Sequence, residues 1–353
     1  MKTADYVRAA FVRPGGGVEL KTVPRPSTEE GSLLVRMKAS GVCGTDLEKL
    51  NGRNITSSTL GHEVAGVVVE SKAEGFSPGD RVVPHHHVAC GKCDLCLAGA
   101  GTMCKGFKDS NFLPGGFADE FLVPGYNVSG GGVHRISDSL SFEEASFAEP
   151  LGCCIRGLRH AIANKTDLRN VLVVGAGPIG LLHMELLRSY FPEVNIVAVD
   201  VLKSRLEFAA KFEKAQIVDA SKIPDGLFSS SALSNSPLGY DLAVVATGNP
   251  IAFGEAMKSV RKSGSVLLFG APHKGSSYNL DLANLFLSEI SITSSYATTE
   301  AELTEAIALL ESRKIEVKKF VTSSYPLDKV EEAMASARSE NQVKVIVADK
   351  PQN

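Results

Sequence analysis

The sequence lacks an excess of charge of either sign. Its 37 Lys and Arg residues nearly balance its 40 Asp and Glu residues, which gives a formal net charge of −3. No basic or acidic run exceeds a few residues. Because proteins that bind nucleic acid or anionic membranes usually carry a basic patch, the composition predicts neither kind of partner.

The sequence also lacks an unbroken apolar segment long enough to cross a membrane. Residues 1–17 carry four charged side chains where a secretory signal would need an apolar stretch. The most apolar segment, 171–187, is broken by three glycines and contains His183 and Glu185. This segment is typical of a strand, a turn and a helix, and we predict no membrane span.

The length of 353 residues exceeds what one hydrophobic core usually supports, and it predicts two domains. Up to about residue 150 the chain is β-rich, with strand-like runs separated by Gly, Pro and Asn. These runs are 33–43, 63–71, 80–84 and 117–124. Beyond residue 151, compact apolar runs alternate with segments whose apolar residues recur at helical spacing. That alternation predicts an α/β fold with a parallel, doubly wound sheet.

Four cysteines lie close together in the β-rich half, with two, two and seven residues between them. They are Cys90, Cys93, Cys96 and Cys104. The spacing suits one ion and not a disulfide framework, which favours a reducing, cytoplasmic location. Iron–sulfur clusters also use four cysteines, but the common run has a last gap of three followed by Pro. The sequence therefore predicts a closed, structural zinc site.

Three consecutive histidines, His85, His86 and His87, precede the four cysteines. Along a strand these side chains would alternate between faces, so at most His85 and His87 would point together. We expect a strand end with one or two imidazoles near a cleft and one in solvent, and no metal bound there.

A second set of ligand types is spread along the first 150 residues. Cys43 occurs in "GVCGTD", His62 and Glu63 in "LGHEVAG", and Glu149 in the apolar context "FAEPLG". A buried carboxylate needs a partner or a metal. Each residue alone is equally consistent with core packing or surface exposure, but the set suits a catalytic zinc site with an open position.

The stretch "VLVVGAGPIGLL" has the pattern of a dinucleotide-binding turn. Gly175, Gly177 and Gly180 follow a strand-like run and open a helix-like one, with Pro178 and Ile179 between the last two glycines. Asp200 ends the next strand-like run, twenty residues past Gly180. A carboxylate there would bond the adenosine ribose and repel a 2′-phosphate, which favours NAD. Lys203 and Arg205 could screen such a phosphate, so NADP stays open.

These motifs together resemble the zinc-dependent medium-chain alcohol dehydrogenase family, in its polyol and sugar branch with sorbitol, threonine and archaeal-type glucose dehydrogenases. The resemblance runs from about residue 8 to 347. It implies a GroES-like β-rich catalytic domain over 1–152, with a structural zinc lobe at about 88–106. It also implies a Rossmann domain that binds NAD(P) over 153–294, and a return to the catalytic domain over 295–353.

The resemblance also implies roles for individual residues. Cys43 and His62 would bind catalytic zinc, and Glu63 and Glu149 would complete the shell directly or through water, so that each chain holds two zinc ions. Thr45 would carry the proton of the substrate hydroxyl outward. In the nucleotide domain, the residues lining the nicotinamide half would be Thr247, Phe269 and Gly270.

Two departures from the family pattern affect the substrate. Relatives acting on simple alcohols often have a proton-relay histidine five residues after the zinc cysteine, where this chain has Glu48, as glucose dehydrogenases do. The segment between Cys43 and His62 is several residues shorter than in most relatives, which reshapes one wall of the substrate cleft.

The expected activity is oxidation of a secondary alcohol, in a polyol or sugar, by hydride transfer to NAD(P). The alternatives are a threonine or simple alcohol dehydrogenase of the same fold, a zinc-free quinone or enoyl reductase, and a non-catalytic zinc-binding interaction protein. Reductases of that kind lack both sets of ligands. The family commonly pairs its nucleotide sheets edge to edge, which predicts a dimer or tetramer with 265–280 at the edge.

Overall fold

The protein is described from a computed structural model over residues 5–52, 59–163, 167–212, 215–223 and 238–349. The shortened segment between Cys43 and His62 therefore lies partly outside the described residues. The chain divides into two compact units, one of residues 1–152 with 298–353 and one of residues 153–297. Each unit is described by itself below.

The strands, in chain order, are β1 (Tyr6–Val12), β2 (Val18–Pro24), β3 (Leu33–Gly41), β4 (Glu63–Ser71), β5 (Arg81–Pro84), β6 (Glu120–Val123), β7 (Val133–Arg135), β8 (Asn170–Val174), β9 (Asn195–Asp200), β10 (Ala215–Asp219), β11 (Tyr240–Val245), β12 (Val260–Leu268), β13 (Ser291–Ser294), β14 (Val321–Tyr325) and β15 (Lys344–Ala348). The α-helices are α1 (Gly44–Leu50), α2 (Asp94–Leu97), α3 (Lys105–Asp109), α4 (Gly125–Ser129), α5 (Phe142–Ala145), α6 (Ala148–Ala161), α7 (Pro178–Tyr190), α8 (Lys203–Ala209), α9 (Pro250–Ser259), α10 (Leu282–Leu287), α11 (Glu300–Glu311) and α12 (Val330–Ala337). Short 3₁₀ turns occur at Gly101–Met103, Ala220–Lys222, Lys318–Phe320 and Leu327–Lys329.

The unit of residues 153–297 is built on a parallel sheet in the order β10-β9-β8-β11-β12-β13. The central strands β8 and β11 are buried along almost their whole length, because helices cover both faces of such a sheet. Their apolar runs are the ones that predicted buried strands. The order turns back on itself between β8 and β11, which is the doubly wound arrangement. The α/β fold class predicted from the sequence is confirmed.

The unit of residues 1–152 and 298–353 contains a mixed sheet in the order β14-β15-β3-β4-β5-β7, with β6 also paired to β3. All pairs are antiparallel except β14 with β15. The register pairs Gly41 with both Glu63 and Ile346. Gly66 pairs with Val82, so the end of β5 runs alongside the start of β4. The chain segments near residues 43, 63, 85 and 344 therefore come together at one end of this sheet.

The edge of the parallel sheet differs from the one the sequence predicted. The segment 265–280 contributes the end of β12, but β13 pairs beyond it and forms the edge among the described residues. The sequence signal for β13 is weak because "SITS" contains a single strongly apolar residue. The helix α10 just before it exposes Leu282, Phe286 and Leu287, each at least 69% accessible.

The helices formed by the described residues are all too short or too polar to cross a lipid bilayer.

Candidate metal centres and nucleotide site

The four cysteines of the loop after β5 converge on one point. The sulfur atoms of Cys90, Cys93, Cys96 and Cys104 all lie within 4.8 Å of one another, and none forms a disulfide. Cys96 Sγ is 3.8 Å from Cys90 Sγ and 3.6 Å from Cys93 Sγ. A tetrahedral zinc ion with Zn–S bonds of about 2.3 Å would hold sulfurs about 3.8 Å apart. The donor set therefore fits a closed zinc site.

Backbone N–H groups favour the thiolate form at Cys90 and Cys104, whereas burial and the neighbouring Cys93 raise the pKa of Cys96 to about 12. Cys104 is fully buried, and its Sγ accepts hydrogen bonds from the N–H groups of Cys90 and Phe107 at 3.4 and 3.3 Å. The N–H groups of Lys92 and Cys93 lower the pKa of Cys90 to about 6. Donors directed at sulfur favour the thiolate, which is the form that binds metal.

A second donor set lies where β3 ends and β4 begins. One ligand atom each from Cys43, His62 and Glu63 lie within 4.8 Å of one another. Cys43 is the N-cap of α1, and Glu63 is the first residue of β4. Thiolate, imidazole and carboxylate from three residues are a donor set found in catalytic zinc sites, where the fourth position stays open. Thr45 Oγ1 is 3.6 Å from Cys43 Sγ.

Asp46, which the sequence analysis did not single out, ties the two ligand segments together. It is fully buried; its carboxylate accepts hydrogen bonds from the N–H groups of Cys43 at 3.2 Å and Gly61 at 3.1 Å. Its Oδ1 also lies 3.6 Å from His62 Nδ1, which leaves Nε2 of His62 for a ligand. The available signal was its place at the third position of α1, where an acidic side chain caps a helix.

Electrostatic interactions around Asp46 are strong because the groups are buried. Burial by itself lowers the pKa of His62, but the nearby Asp46 carboxylate and Cys43 sulfur outweigh it and raise that pKa well above its usual value. Burial also raises the pKa of Asp46, yet His62 and the Gly61 N–H hold it below its usual value. Carboxylate–histidine pairs of this kind orient a metal-binding imidazole.

Lys344 is a second group that the sequence did not indicate. Its side chain is only 4% exposed, and its ammonium forms an ion pair with Glu63 and donates a hydrogen bond to the Val42 carbonyl at 3.1 Å. Burial lowers the pKa of Lys344, but Glu63 and Cys43 raise it above its usual value. The Glu63 carboxylate therefore has a cationic partner on one side and the Cys43–His62 pair on the other.

His85, His86 and His87 do not alternate between the two faces of a strand, as the sequence predicted. β5 ends at Pro84, so residues 85–87 are not in a strand and the alternation rule does not apply. His85 and His86 are both buried and share a cluster with Glu149, with one ligand atom from each within 4.8 Å of the others. His87 is half-buried, with Nδ1 bonded to the Ser110 carbonyl. No histidine of this run is in solvent.

Glu149 therefore groups with the histidines, and the set of Cys43, His62 and Glu63 does not include it. Glu149 is buried near the start of α6. Glu48, the other carboxylate that the sequence indicated, is half-buried in α1.

The glycine-rich turn connects β8 to α7 in the parallel-sheet unit. Gly175 has a φ of +100°, which L side chains rarely adopt, and Gly177 is the N-cap of α7 with Pro178 as the first helical residue. A Cβ on Gly180 would lie 1.8 Å from the Gly175 carbonyl oxygen, so only glycine fits there. The first turn of α7, including Ile179, thus lies close against the turn. The first N–H groups of a helix have no partner within the helix, and they suit a pyrophosphate.

Asp200 at the end of β9 is held by the same turn. Its Oδ2 accepts a hydrogen bond from the N–H of Ala176 at 2.8 Å, and its Oδ1 accepts one from the N–H of Leu202 at 2.9 Å. Arg205 Nη1 lies 3.8 Å from Asp200 Oδ2. The carboxylate is therefore fixed in orientation beside the dinucleotide turn, and a guanidinium is next to it.

The residues that the resemblance placed near the nicotinamide follow β11 and β12. A Cβ on Gly270 would lie within 2.6 Å of three Thr247 backbone atoms, so the two segments touch closely. The Phe269 ring packs edge-on against His183, with ring centroids 4.7 Å apart. The structure thus brings Thr247 and Gly270 together, and gives Phe269 a packing contact within its own unit.

Comparison with known proteins identifies the family of the chain. The family model for the alcohol dehydrogenase GroES-like domain matches residues 29–130, and that for zinc-binding dehydrogenase matches residues 178–312. Sorbitol dehydrogenase of Bacillus subtilis is 30% identical over 94% of this chain and 93% of its own length. L-threonine 3-dehydrogenase of Pectobacterium atrosepticum is 27% identical over 96% and 92%.

Among solved structures, an alcohol dehydrogenase from Thermus sp. ATN1 is 26% identical and covers 97% of this chain and 99% of its own, with a TM-score of 0.85. The family resemblance inferred from the sequence is confirmed. The chain belongs to the zinc-dependent medium-chain alcohol dehydrogenase family, in the branch that includes sorbitol and threonine dehydrogenases.

Proposed function

We propose that this protein oxidises a secondary alcohol of a polyol or sugar to a carbonyl and transfers the hydride to NAD. The observation that carries the proposal is the convergence of Cys43, His62 and Glu63 beside the hydroxyl of Thr45. Donor sets of this type are used to activate hydroxyl groups. The dinucleotide turn between β8 and α7 would bind the nucleotide that accepts the hydride.

The residues around Cys43 have separable tasks. Cys43, His62 and Glu63 would hold a zinc ion, which supplies Lewis acidity toward the substrate hydroxyl. Thr45 would accept the hydroxyl proton at Oγ1 while it passes its own hydroxyl proton onward. Glu48 follows Thr45 by three residues on α1 and lies on the same helix face, so it would pass the proton to water. The charge of Glu149 acts on Lys344, the partner of Glu63, and Glu149 would contribute to the metal shell through water. The four cysteines would hold the other zinc ion, with a structural role.

NAD is favoured over NADP by the fixed carboxylate of Asp200. A 2′-phosphate beside it would meet a charge that cannot turn away, because two backbone N–H groups hold both oxygens. Arg205 is close enough to offset part of this repulsion. We therefore expect tighter binding of NAD together with measurable binding of NADP.

The substrate class can be tested directly by following reduced nucleotide at 340 nm. Polyols, sugars, simple alcohols and threonine would each be offered with NAD and with NADP, because relatives that match this chain include both sorbitol and threonine dehydrogenases. We expect turnover with a polyol or sugar and NAD. Turnover with threonine alone would replace the substrate class but keep the reaction. No turnover with any alcohol would contradict the proposal.

We further propose that the protein is a homo-oligomer, a dimer or tetramer, that pairs through β13. The observation that favours this is the exposed apolar surface of α10, which precedes the edge strand in the chain and includes Leu282, Phe286 and Leu287. Exposed apolar patches of this kind mark interaction surfaces, and an open strand edge offers unpaired backbone groups.

A further inference from the structure

The strand order of the parallel-sheet unit separates the two halves of a bound dinucleotide. Asp200 ends β9 on one side of β8, and β11 and β12 follow on the other side. A ligand of such a sheet lies across the carboxyl ends of its strands. With the pyrophosphate at the turn after β8 and the adenosine ribose at Asp200, the nicotinamide would extend over the segments that follow β11 and β12. This placement rests on the proposed function, because it assumes that NAD binds there.

Phe269 is the large side chain of the segment that follows β12. Its N–H bonds the Val245 carbonyl at the end of β11 at 3.1 Å, and the N–H of Ala246 bonds the Val174 carbonyl at the end of β8 at 2.8 Å. The ends of β8, β11 and β12 therefore run side by side. Phe269, which is half-buried, lies at the edge of the sheet over which the nicotinamide would extend.

Two helices hold the Phe269 ring in place. On α6, a Cβ on Gly157 would lie 2.9 Å from Phe269 Cδ2, so the ring lies directly against the backbone of that helix. On α7, the His183 ring meets Phe269 edge-on, with centroids 4.7 Å apart and an interplanar angle of 82°. Rings at this distance and angle attract each other beyond the area that they bury. The orientation of Phe269 therefore depends on His183.

His183 is itself held in one orientation. It is completely buried, and its Nδ1 donates a hydrogen bond to the Ile179 carbonyl at 2.9 Å, one turn earlier in α7. Burial lowers the pKa of His183 to about 4, although this hydrogen bond opposes the change, so the ring is neutral near pH 7. Its Nε2 is buried and makes no hydrogen bond to the described residues. Because an unpaired buried acceptor costs stability, a contribution to stability does not explain the histidine.

We propose that His183 is a positioning residue for the nicotinamide, because it connects the first turn of α7 with the Phe269 ring. The bond to Ile179 fixes the imidazole to the turn that would hold the pyrophosphate, and the edge of the imidazole fixes Phe269. A side chain without a ring at position 183 would release Phe269. The adenosine half of the nucleotide, on the other side of β8 at Asp200, would keep its contacts.

Calorimetric titration of the full-length protein with NADH and with ADP-ribose, which lacks the nicotinamide, tests this role. We expect His183→Leu to weaken NADH binding about two- to tenfold, the range that an edge-to-face contact supports, and to leave ADP-ribose binding unchanged. Phe269→Leu should weaken NADH binding at least as much, and the double variant should bind NADH no more weakly than Phe269→Leu alone. The control Met184→Leu, a volume-conserving change at the next and equally buried position of α7, should change neither affinity.

Equal weakening of NADH and ADP-ribose in His183→Leu, no change in either, or additive losses in the double variant would overturn the positioning role. His183→Phe, which keeps a ring and loses the bond to Ile179, covers the case in which His183→Leu does not fold. It should bind NADH within about twofold of the wild type, and a loss as large as that of Phe269→Leu would contradict the proposal. A wild type that binds neither ligand would overturn the nucleotide site of the proposed function together with this inference.

Discussion

Replacing Lys344 by Met removes one half of a buried ion pair. Lys344 and Glu63 are 4% and 2% exposed, so water cannot compensate the carboxylate once the ammonium is gone. Two charges about 4 Å apart interact by about 4 kcal/mol at an effective dielectric constant of about 20. Removing one partner of a buried pair costs about 3–5 kcal/mol. We expect Lys344→Met to lower the free energy of unfolding by about that amount.

Metal should change this cost in a specific direction. Lys344 and a metal ion at Cys43 and His62 would interact with the same Glu63 carboxylate, so bound zinc gives Glu63 a partner when the ammonium is absent. The destabilisation should therefore be smaller in zinc-saturated protein than in protein dialysed against chelator. The double variant Lys344→Met/Glu63→Gln should also lose less free energy of unfolding than the two single variants lose together.

Urea unfolding with and without zinc measures these quantities, and Lys38→Met provides the matched control. Lys38 also pairs with a distant carboxylate, Asp349, but its side chain is 27% exposed and that of Asp349 is 43% exposed. Exposed pairs contribute about 0–1 kcal/mol. The reasoning is refuted if Lys344→Met costs no more than Lys38→Met, or if the effects of Lys344→Met and Glu63→Gln are additive.

Three further predictions concern the parallel-sheet unit. Gly180→Ala places a Cβ 1.8 Å from the Gly175 carbonyl oxygen, so NAD affinity in a fluorescence titration should fall at least about tenfold; unchanged affinity would show that the turn does not hold the nucleotide. Burial raises the pKa of Asp241, but the N–H groups of Asn170 and Arg169 and the Arg261 guanidinium hold it below its usual value. Its stabilisation is thus present above the unfolded pKa of about 4 and lost as pH falls through the lower folded pKa. Urea midpoints should show Asp241→Asn destabilised by about 1–3 kcal/mol at pH 7, and its difference from the wild type should shrink as pH falls below about 4; a difference independent of pH would refute this. Phe286→Asp should yield monomers in sedimentation. The control Ile251→Asp should not, although Ile251 is also exposed, at 73%, elsewhere in the unit. An unchanged oligomer in Phe286→Asp would exclude α10 from the interface.

Local sequence patterns were sufficient to predict much of the fold. The buried runs of β8 and β11 and the glycines between β8 and α7 are contiguous features, and they predicted the parallel sheet. The helix α11 carries a local pattern of the same kind, since its apolar residues Leu303, Ala306, Ile307 and Leu310 recur at helical spacing and are all buried.

The parts that the sequence could not predict depend on contacts between distant segments. Lys344 is separated from Glu63 by 281 residues, and only the pairing of β15 with β3 and of β3 with β4 brings them together. The histidines were expected to alternate as in a strand, but β5 stops at Pro84. The sheet edge was misplaced because the strand β13 is short and polar.

The central claim is that the metal set around Cys43 activates an alcohol for hydride transfer to a nucleotide bound by the other unit. The most direct test is the rate of NADH formation by Cys43→Ser at saturating NAD, with NAD affinity and the zinc of the four cysteines measured in the same preparation. Loss of roughly 4 kcal/mol of Lewis-acid stabilisation corresponds to about a thousandfold. The account predicts at least that loss with unchanged NAD affinity; a rate within tenfold of the wild type would contradict it.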